Sequence, residues 1–270
     1  MEITRYELWE NIPGTTDTVP YVVHYKPENP ITDGALVIFP GSGYSATPSR
    51  PLQEGERVAK YYCELGINVF VGIYRVKPDY YPLPILDGRR VMRYVKYNAN
   101  QFNINKDKIA LMGYSAGGHL AACMTHFTDK IDFEGIDEID NMDFKPSLQI
   151  LCYPVISLMK DNGFSHQGSG ISLLGEEYDY MRKALSHELN KTENIPNTFI
   201  WHNFDDPSVN VLNVLEYAKA LKNNGASVEM HIFPHGGHGI GLPIDDTPVL
   251  NHDKVWVKYV EKWLEYNDFM

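Results

Sequence analysis

Lys108-Ile-Ala-Leu-Met112, Gly113-Tyr114-Ser115-Ala116-Gly117, then Gly118-His119-Leu120 and on to Phe127 is the stretch of this 270-residue chain that decides its fold. An apolar run of strand length leads into a serine with glycines two before and two after it. A stretch of small and apolar residues follows in helical style, so the order is strand, tight turn, helix. Further runs of the first kind lie on both sides: Ala35 to Phe39, Asn68 to Tyr74, Leu148 to Tyr153, Asn197 to Trp201 and Val228 to Phe233. Near-continuous apolar runs of this length suit strands covered on both faces, hence a mainly parallel sheet. Between them, helical spacing recurs at Val58, Tyr61, Tyr62 and Leu65 within Glu54 to Leu65, at Val91, Tyr94 and Val95 within Ile85 to Tyr97, and at Val211, Leu215, Ala218 and Leu221. Trp256, Val260, Trp263 and Leu264 share one face of a last helix, for which Thr247-Pro248 reads as N-cap and first residue. Ile3 to Trp9 and Tyr21 to Tyr25 instead alternate polar and apolar, which predicts an antiparallel edge. Strands alternating with helices predict a three-layer α/β fold with right-handed crossovers.

Composition narrows the function classes. At 43% hydrophobic and 22% charged the chain is globular rather than disordered. No apolar run is long enough to span a bilayer, and Met1 to Glu10 shows no basic region leading into an apolar stretch, so a cytoplasmic protein with no membrane partner is expected. Lys and Arg number 24 against 35 Asp and Glu, a net charge of −11, which disfavours nucleic acid. Cys63, Cys123 and Cys152 are odd in number and each sits in an apolar segment, as buried free thiols would.

Two segments break the rhythm. Asp129 to Asp143 carries Asp129, Asp132, Glu134, Asp137, Glu138, Asp140 and Asp143 against Lys130, and reads as a solvated loop or acidic helix face without metal-loop spacing. Ser157 to Lys191 is the longest stretch without a strand and is expected to form a cap or rim over a site (about residues 157–191) within a single domain, 1–270.

A serine hydroxyl needs a base to become a nucleophile, and the base needs a carboxylate to orient it. In the fold expected here these follow in the order Ser, acid, His, on loops after successive strands. The strand Asn197 to Trp201 leads to His202-Asn203-Phe204-Asp205-Asp206-Pro207-Ser208-Val209, and Val228 to Phe233 leads to Pro234-His235-Gly236-Gly237-His238-Gly239. Both loops fall where the carboxyl ends of parallel strands gather and ligands bind. Asp206-Pro207 is also a helix-start pattern. His231, His235 and His238 could be read as metal ligands, but the acids nearby, Asp245 and Asp246, lack HExxH spacing and a metal leaves Ser115 unexplained. His24, His126 and His252 read as surface or satisfied core groups, and His119 as structural. After the first core strand, backbone N–H groups of Pro40-Gly41-Ser42-Gly43-Tyr44 could meet that of Ala116 around a developing oxyanion. Gly41 to Ala46 also satisfies GxGxxA, yet Pro48 and Pro51 forbid the helix a pyrophosphate needs and the next strand ends in Tyr74-Arg75 rather than an acid.

Together, Val37 to Tyr44, Tyr74-Arg75, Asp87, Lys108 to Leu120, His202 to Val209 and Ile232 to Gly239 resemble the bacterial acetyl-xylan and feruloyl esterase-like α/β-hydrolases, over about residues 20 to 265. The resemblance implies an α/β-hydrolase fold with an eight-stranded, mostly parallel sheet, no cofactor and no metal, and hydrolysis of short acyl esters, commonly on sugars. It further implies Ser115 as nucleophile, His238 as base and, through a D-x-x-V pattern four residues after a histidine, Asp206 as the acid. Backbone N–H groups of Ser42, Gly43 and Ala116 would form the oxyanion hole. Pro40 stands where related enzymes have His, Ser42 where they have Gly, and Val209-Asn210 where they have Val-Pro. The expected protein is thus a serine carboxylesterase with a small-molecule ester substrate, and a homo-oligomer is compatible with it. A small-peptide serine peptidase and a non-catalytic ligand-binding hydrolase fold are the rival readings.

Overall fold

The computed structural model describes residues 1–14, 19–45, 53–127, 131, 133, 135–191, 193–242 and 255–270. Ala46, Pro48, Pro51, Asp129, Lys130, Asp132, Glu134, Asp245, Asp246, Thr247, Pro248 and His252, which carry parts of the readings above, lie outside those residues.

Eight strands form one sheet: β1 (Glu2–Glu7), β2 (Tyr21–Lys26), β3 (Ala35–Phe39), β4 (Asn68–Ile73), β5 (Ile109–Tyr114), β6 (Leu148–Cys152), β7 (Asn197–Asn203) and β8 (Val228–Phe233), in the order β1-β2-β4-β3-β5-β6-β7-β8. β1 pairs with β2 and β2 with β4 antiparallel; every other pair is parallel. The division follows the hydrophobic pattern. All residues of β3, β4, β5 and β6 are buried, whereas β1 and β8, at the edges, are half exposed.

The pleat sorts the apolar residues into two cores. Ala35, Val37 and Phe39 of β3 face α2 (Leu83–Tyr97), α4 (Ser115–His126) and α6 (Leu212–Asn223), while Leu36 and Ile38 face α1 (Glu56–Glu64) and α7 (Val255–Tyr266). Trp256 of α7 stacks on Trp201 of β7 with ring centroids 5.2 Å apart. Two further short helices lie among the described residues: α3 (Ala99–Phe102) and α5 (Gln167–Leu174), the latter inside the 157–191 insertion. From β3 the chain crosses to β4 on one side, and from β5 to β6 on the other. The crevice between the carboxyl ends of β3 and β5 is therefore the point where strand order reverses, the usual place for a ligand in an open α/β sheet.

Two expectations change. The acidic segment is not simply solvated: Asp140 is buried at 3% side-chain exposure and pairs with Arg90 (3.2 Å), which Asp137 also holds (2.5 Å). Asp143 pairs with Lys96 at 2.7 Å. The reason lies in α2, whose Arg90 and Lys96 are buried against the acidic segment and need counter-charges there. The helix predicted from Glu54 begins instead at Glu56, leaving Glu54 in the preceding turn with 2% exposure.

Candidate active site

Ser115 follows directly on β5 with φ of +51°, a left-handed conformation that costs a non-glycine residue about 1–3 kcal/mol and is held only by its surroundings. The flanking glycines explain how the turn survives. A Cβ on Gly117 would lie 2.2 Å from Phe39 O and one on Gly113 2.4 Å from Gly117 O, so any larger residue would push β3, β5 and α4 apart. The strain aims the Ser115 side chain out of the sheet at the N-terminus of α4, where helix geometry favours negative charge.

The two later loops arrive at the same point. Ser115 Oγ lies 2.8 Å from His238 Nε2, and His238 Nδ1 lies 2.6 Å from Asp206 Oδ2. The Asp206 side chain is fully buried, that of His238 is 18% exposed and Ser115 is 7% exposed, so the line runs from the protein interior to the surface of a crevice. Asp206 Oδ1 accepts the N–H groups of Ser208 (2.8 Å) and Val209 (2.9 Å), and Oδ2 also lies 3.3 Å from His202 Nε2, which itself donates to Val209 O at 2.8 Å. Burial alone would raise the Asp206 pKa, but hydrogen bonds from His202 and His238 outweigh it and hold the carboxyl far below its usual range. It is an anion at any working pH. Asp206-Pro207 does not start a helix: the carboxylate closes a turn on its own following amides, and α6 begins only at Leu212.

Asp205, its neighbour, points elsewhere. It accepts from the N–H groups of Gly236 and Gly237, both at 3.0 Å, and lies 3.2 Å from exposed His235, so it shapes the histidine loop from outside. Asn203 adds a bond from Nδ2 to Gly237 O (3.0 Å). The other histidines are separately engaged: His231 with Glu229 at 2.8 Å, His24 with Asn68 at 2.9 Å, and His126 with Tyr217 at 2.7 Å. His231, His235 and His238 therefore do not gather as a ligand set. Among the described residues, the group whose ligating atoms do come together is His119, Cys123 and His187, within 4.8 Å. It lies buried behind α4, where His119 already bridges Tyr44 OH (2.9 Å) and Leu185 O (2.8 Å) and Cys123 Sγ sits 3.3 Å from His187 Nε2. His119 is a strut between the turn after β3 and the insertion.

The turn Pro40 to Tyr44 is pressed against the serine. A Cβ on Gly41 would meet Ser115 Cβ at 2.8 Å and Tyr114 O at 2.9 Å, so the residue that leads into Ser42 and Gly43 lies against the serine. Gly43 and Tyr44 both have positive φ, so the chain turns sharply there, and Tyr74 O–H donates to Pro40 O at 2.7 Å to hold the turn's start. Of the GxGxxA stretch, whose Ala46 lies outside the described residues, Gly41 already donates its N–H to the Glu54 carboxylate at 2.8 Å and so does not offer it to a phosphate.

Three site neighbours escaped sequence reading. Glu54 looks like an ordinary first-turn acid of α1. Tyr153 looks like the last apolar residue of β6, yet its ring packs edge-on against the His238 ring at 4.9 Å between centroids. His166 accepts from Ser169 N–H at the start of α5 and lies within electrostatic reach of His238 and Asp206; burial lowers its pKa. Nothing in linear spacing marks any of them.

With this geometry in view, comparison with known proteins is decisive. The BD-FAE family model matches residues 24–221. The chain belongs to the BD-FAE family. Among curated proteins it is 30% identical over 250 residues to an acetylxylan esterase of Xylanibacter ruminicola, covering 90% of this chain and 46% of that one. It is also 29% identical over 256 residues to endo-1,4-beta-xylanase B of Butyrivibrio fibrisolvens, covering 90% and 38%. This BD-FAE chain thus spans less than half the length of those two relatives. Among solved structures, an acetyl ester-xyloside bifunctional hydrolase from Caldicellulosiruptor lactoaceticus superposes with a TM-score of 0.88 at 39% identity, covering 99% of this chain and 97% of that one. Est2, an esterase of Thermogutta terrifontis, shares the fold with a TM-score of 0.79 at 22% identity, covering 99% and 93%. No helix among the described residues is long and apolar enough to cross a membrane.

Proposed function

We propose that this protein is a serine carboxylesterase that hydrolyses short-chain acyl esters, with acetyl groups on sugars as the leading substrate class. The observation that carries this reading is the hydrogen-bonded line from Ser115 Oγ through His238 to Asp206, at 2.8 and 2.6 Å, on a strained elbow in the crevice. Ser115 Oγ attacks the ester carbonyl as His238 Nε2 takes its proton, and the buried Asp206 carboxylate stabilises the imidazolium so formed. Backbone N–H groups of Ser42, Gly43 and Ala116 meet the tetrahedral oxyanion; one such donor is typically worth about 3 kcal/mol. The proton on His238 then passes to the departing alcohol, and water, activated by the same imidazole, releases the acid. The insertion 157–191 forms the rim of the alcohol site, a role supported by His166 beside the triad and by the bond from Tyr81 N–H to Leu173 O at 2.7 Å. The acetyl-sugar preference is supported by the acetylxylan esterase and the acetyl ester-xyloside hydrolase among its relatives.

The test compares p-nitrophenyl acetate and acetylated xylo-oligosaccharides, with wild type and Ser115→Ala, alongside labelling by a fluorophosphonate. Wild type should release acetate and take up one label, and the folded alanine variant should do neither. Full activity in Ser115→Ala, or a wild type inert to both ester and label, would overturn the reading.

A further inference from the structure

Glu54 is a charged residue at 2% exposure that the esterase steps above leave unused. Each of its two carboxylate oxygens is committed. Oε2 accepts the N–H of Gly41 at 2.8 Å, at the head of the turn that carries Ser42 and Gly43. Oε1 accepts the O–H of Tyr153 at 2.8 Å, and the same phenol oxygen accepts the N–H of Gly241 at 2.9 Å, three residues past His238. Gln53 reinforces the link: its Nε2 donates to Gly239 O at 3.1 Å, and its own carbonyl accepts Leu242 N–H at 2.8 Å. The turn after β3 and the loop after β8 come from distant parts of the chain, and among the described residues the pair Gln53-Glu54 bonds to both.

We propose that Glu54 is a positioning residue: it clamps the turn that offers the oxyanion donors to the loop that presents His238, and its carboxylate charge stabilises the His238 imidazolium as Ser115 attacks. The inference rests on the esterase reading of Ser115, His238 and Asp206. A donor on each oxygen suits the ionised carboxylate, which accepts on both sides among the groups that face it. Those groups are Gly41 N–H, Tyr153, Tyr74, Tyr114, Cys152 and, across the site, His238. Burial raises the pKa of Glu54 against the pull of Tyr153, Gly41 and His238, so its charge fades earlier on acidification than that of an exposed glutamate. His238 in turn is faced by Ser115 from the elbow, Asp206 from the loop after β7, Tyr153 from the end of β6, His166 from the insertion and Glu54 from the turn before α1.

Glu54→Gln keeps the shape and removes the charge. It should lower kcat for p-nitrophenyl acetate about tenfold with little change in KM, because the donors and base that it aligns act on charge that develops only in the transition state. It should also move the acid limb of kcat/KM down by about one pH unit, since loss of a nearby negative charge makes the imidazolium harder to form. Glu54→Asp keeps the charge but draws the carboxylate back from Gly41, so kcat should fall while the acid limb stays where wild type has it. A purely structural role would move neither limb and would treat the two variants alike. Wild-type kcat and acid limb in a folded Glu54→Gln, or an Asp variant whose acid limb shifts, overturns the proposal. Should Glu54→Gln not fold, the Asp variant is read by its split between kcat and KM: a reduced kcat at unchanged KM on an unmoved limb supports, and an unchanged kcat, a raised KM or a shifted limb refutes. Fluorophosphonate labelling of each variant keeps this apart from the parent reading. An unlabelled wild type sinks the esterase assignment, whereas a labelled wild type beside an unaltered Glu54→Gln sinks only the role of Glu54.

Discussion

Replacing Asp206 by asparagine should cost far more than its isosteric shape suggests, and the structure says why. Oδ1 accepts two backbone N–H groups, from Ser208 and Val209, while Oδ2 faces His238 Nδ1 at 2.6 Å. An asparagine in this pocket keeps its oxygen on the two amides, because the flipped orientation would leave both without an acceptor, at about 1–3 kcal/mol each. Its NH2 group then points at His238. A donor there turns Nδ1 into the acceptor and moves the ring proton to Nε2, the atom 2.8 Å from Ser115 Oγ. A protonated Nε2 cannot take the serine proton. Inversion of the tautomer in the same arrangement elsewhere lowers kcat about 10⁴-fold, or about 5 kcal/mol of transition-state stabilisation. The assay is kcat/KM for p-nitrophenyl acetate in Asp206→Asn and, beside it, Asp205→Asn. Asp205 touches His235, Gly236 and Gly237 but not His238, so its loss should cost only a few-fold. An Asp206 variant within tenfold of wild type, or an Asp205 variant that falls as far, would refute the reasoning.

Two further outcomes follow from buried charge. Arg75 and Asp87 are both fully buried, joined from Arg75 Nε to Oδ2 (2.8 Å) and from Nη2 to Oδ1 (2.7 Å), so Asp87→Asn strands a guanidinium and should cost about 3–5 kcal/mol, read as a fall in Tm by calorimetry; a Tm within the error of wild type would contradict it. Burial pushes His119 and His126 down from 6.5 to about 4, and His187 well below its usual value. The unfolded chain therefore binds more protons between those values, so these groups' contribution to stability is complete above about pH 6.5 and is lost as pH falls toward about 4. Urea midpoints measured across that window should drop with acidification, and a flat profile would count against neutral burial of the three rings.

Much of this molecule was legible in its linear pattern, and the reasons are local. β3 through β6 could be read because strands buried on both faces must be apolar at nearly every position, which leaves an unbroken run. The elbow could be read because its backbone strain demands glycine at two fixed offsets from Ser115. Boundaries drifted where tertiary contact overrides propensity: β7 continues through His202 and Asn203, polar residues that are nonetheless fully buried. The acidic segment was misjudged because its partners, Arg90 and Lys96, lie about 47 residues away in sequence and their burial is a property of the packed α2.

The sequence by itself determined the order of strands and helices, the crevice in which they end and the strained elbow that carries Ser115, since each depends on periodicity or on backbone constraints within a few residues. Resemblance to a D-x-x-V pattern singles out Asp206, but only the tertiary structure gave the physical reason, because Asp205 and Asp206 differ in direction rather than chemistry. It alone brought Glu54, Tyr153 and His166 to the site, from the turn before α1, the end of β6 and the insertion. Distance in space between groups far apart in the chain is set by how the layers pack, and no spacing along the chain encodes it.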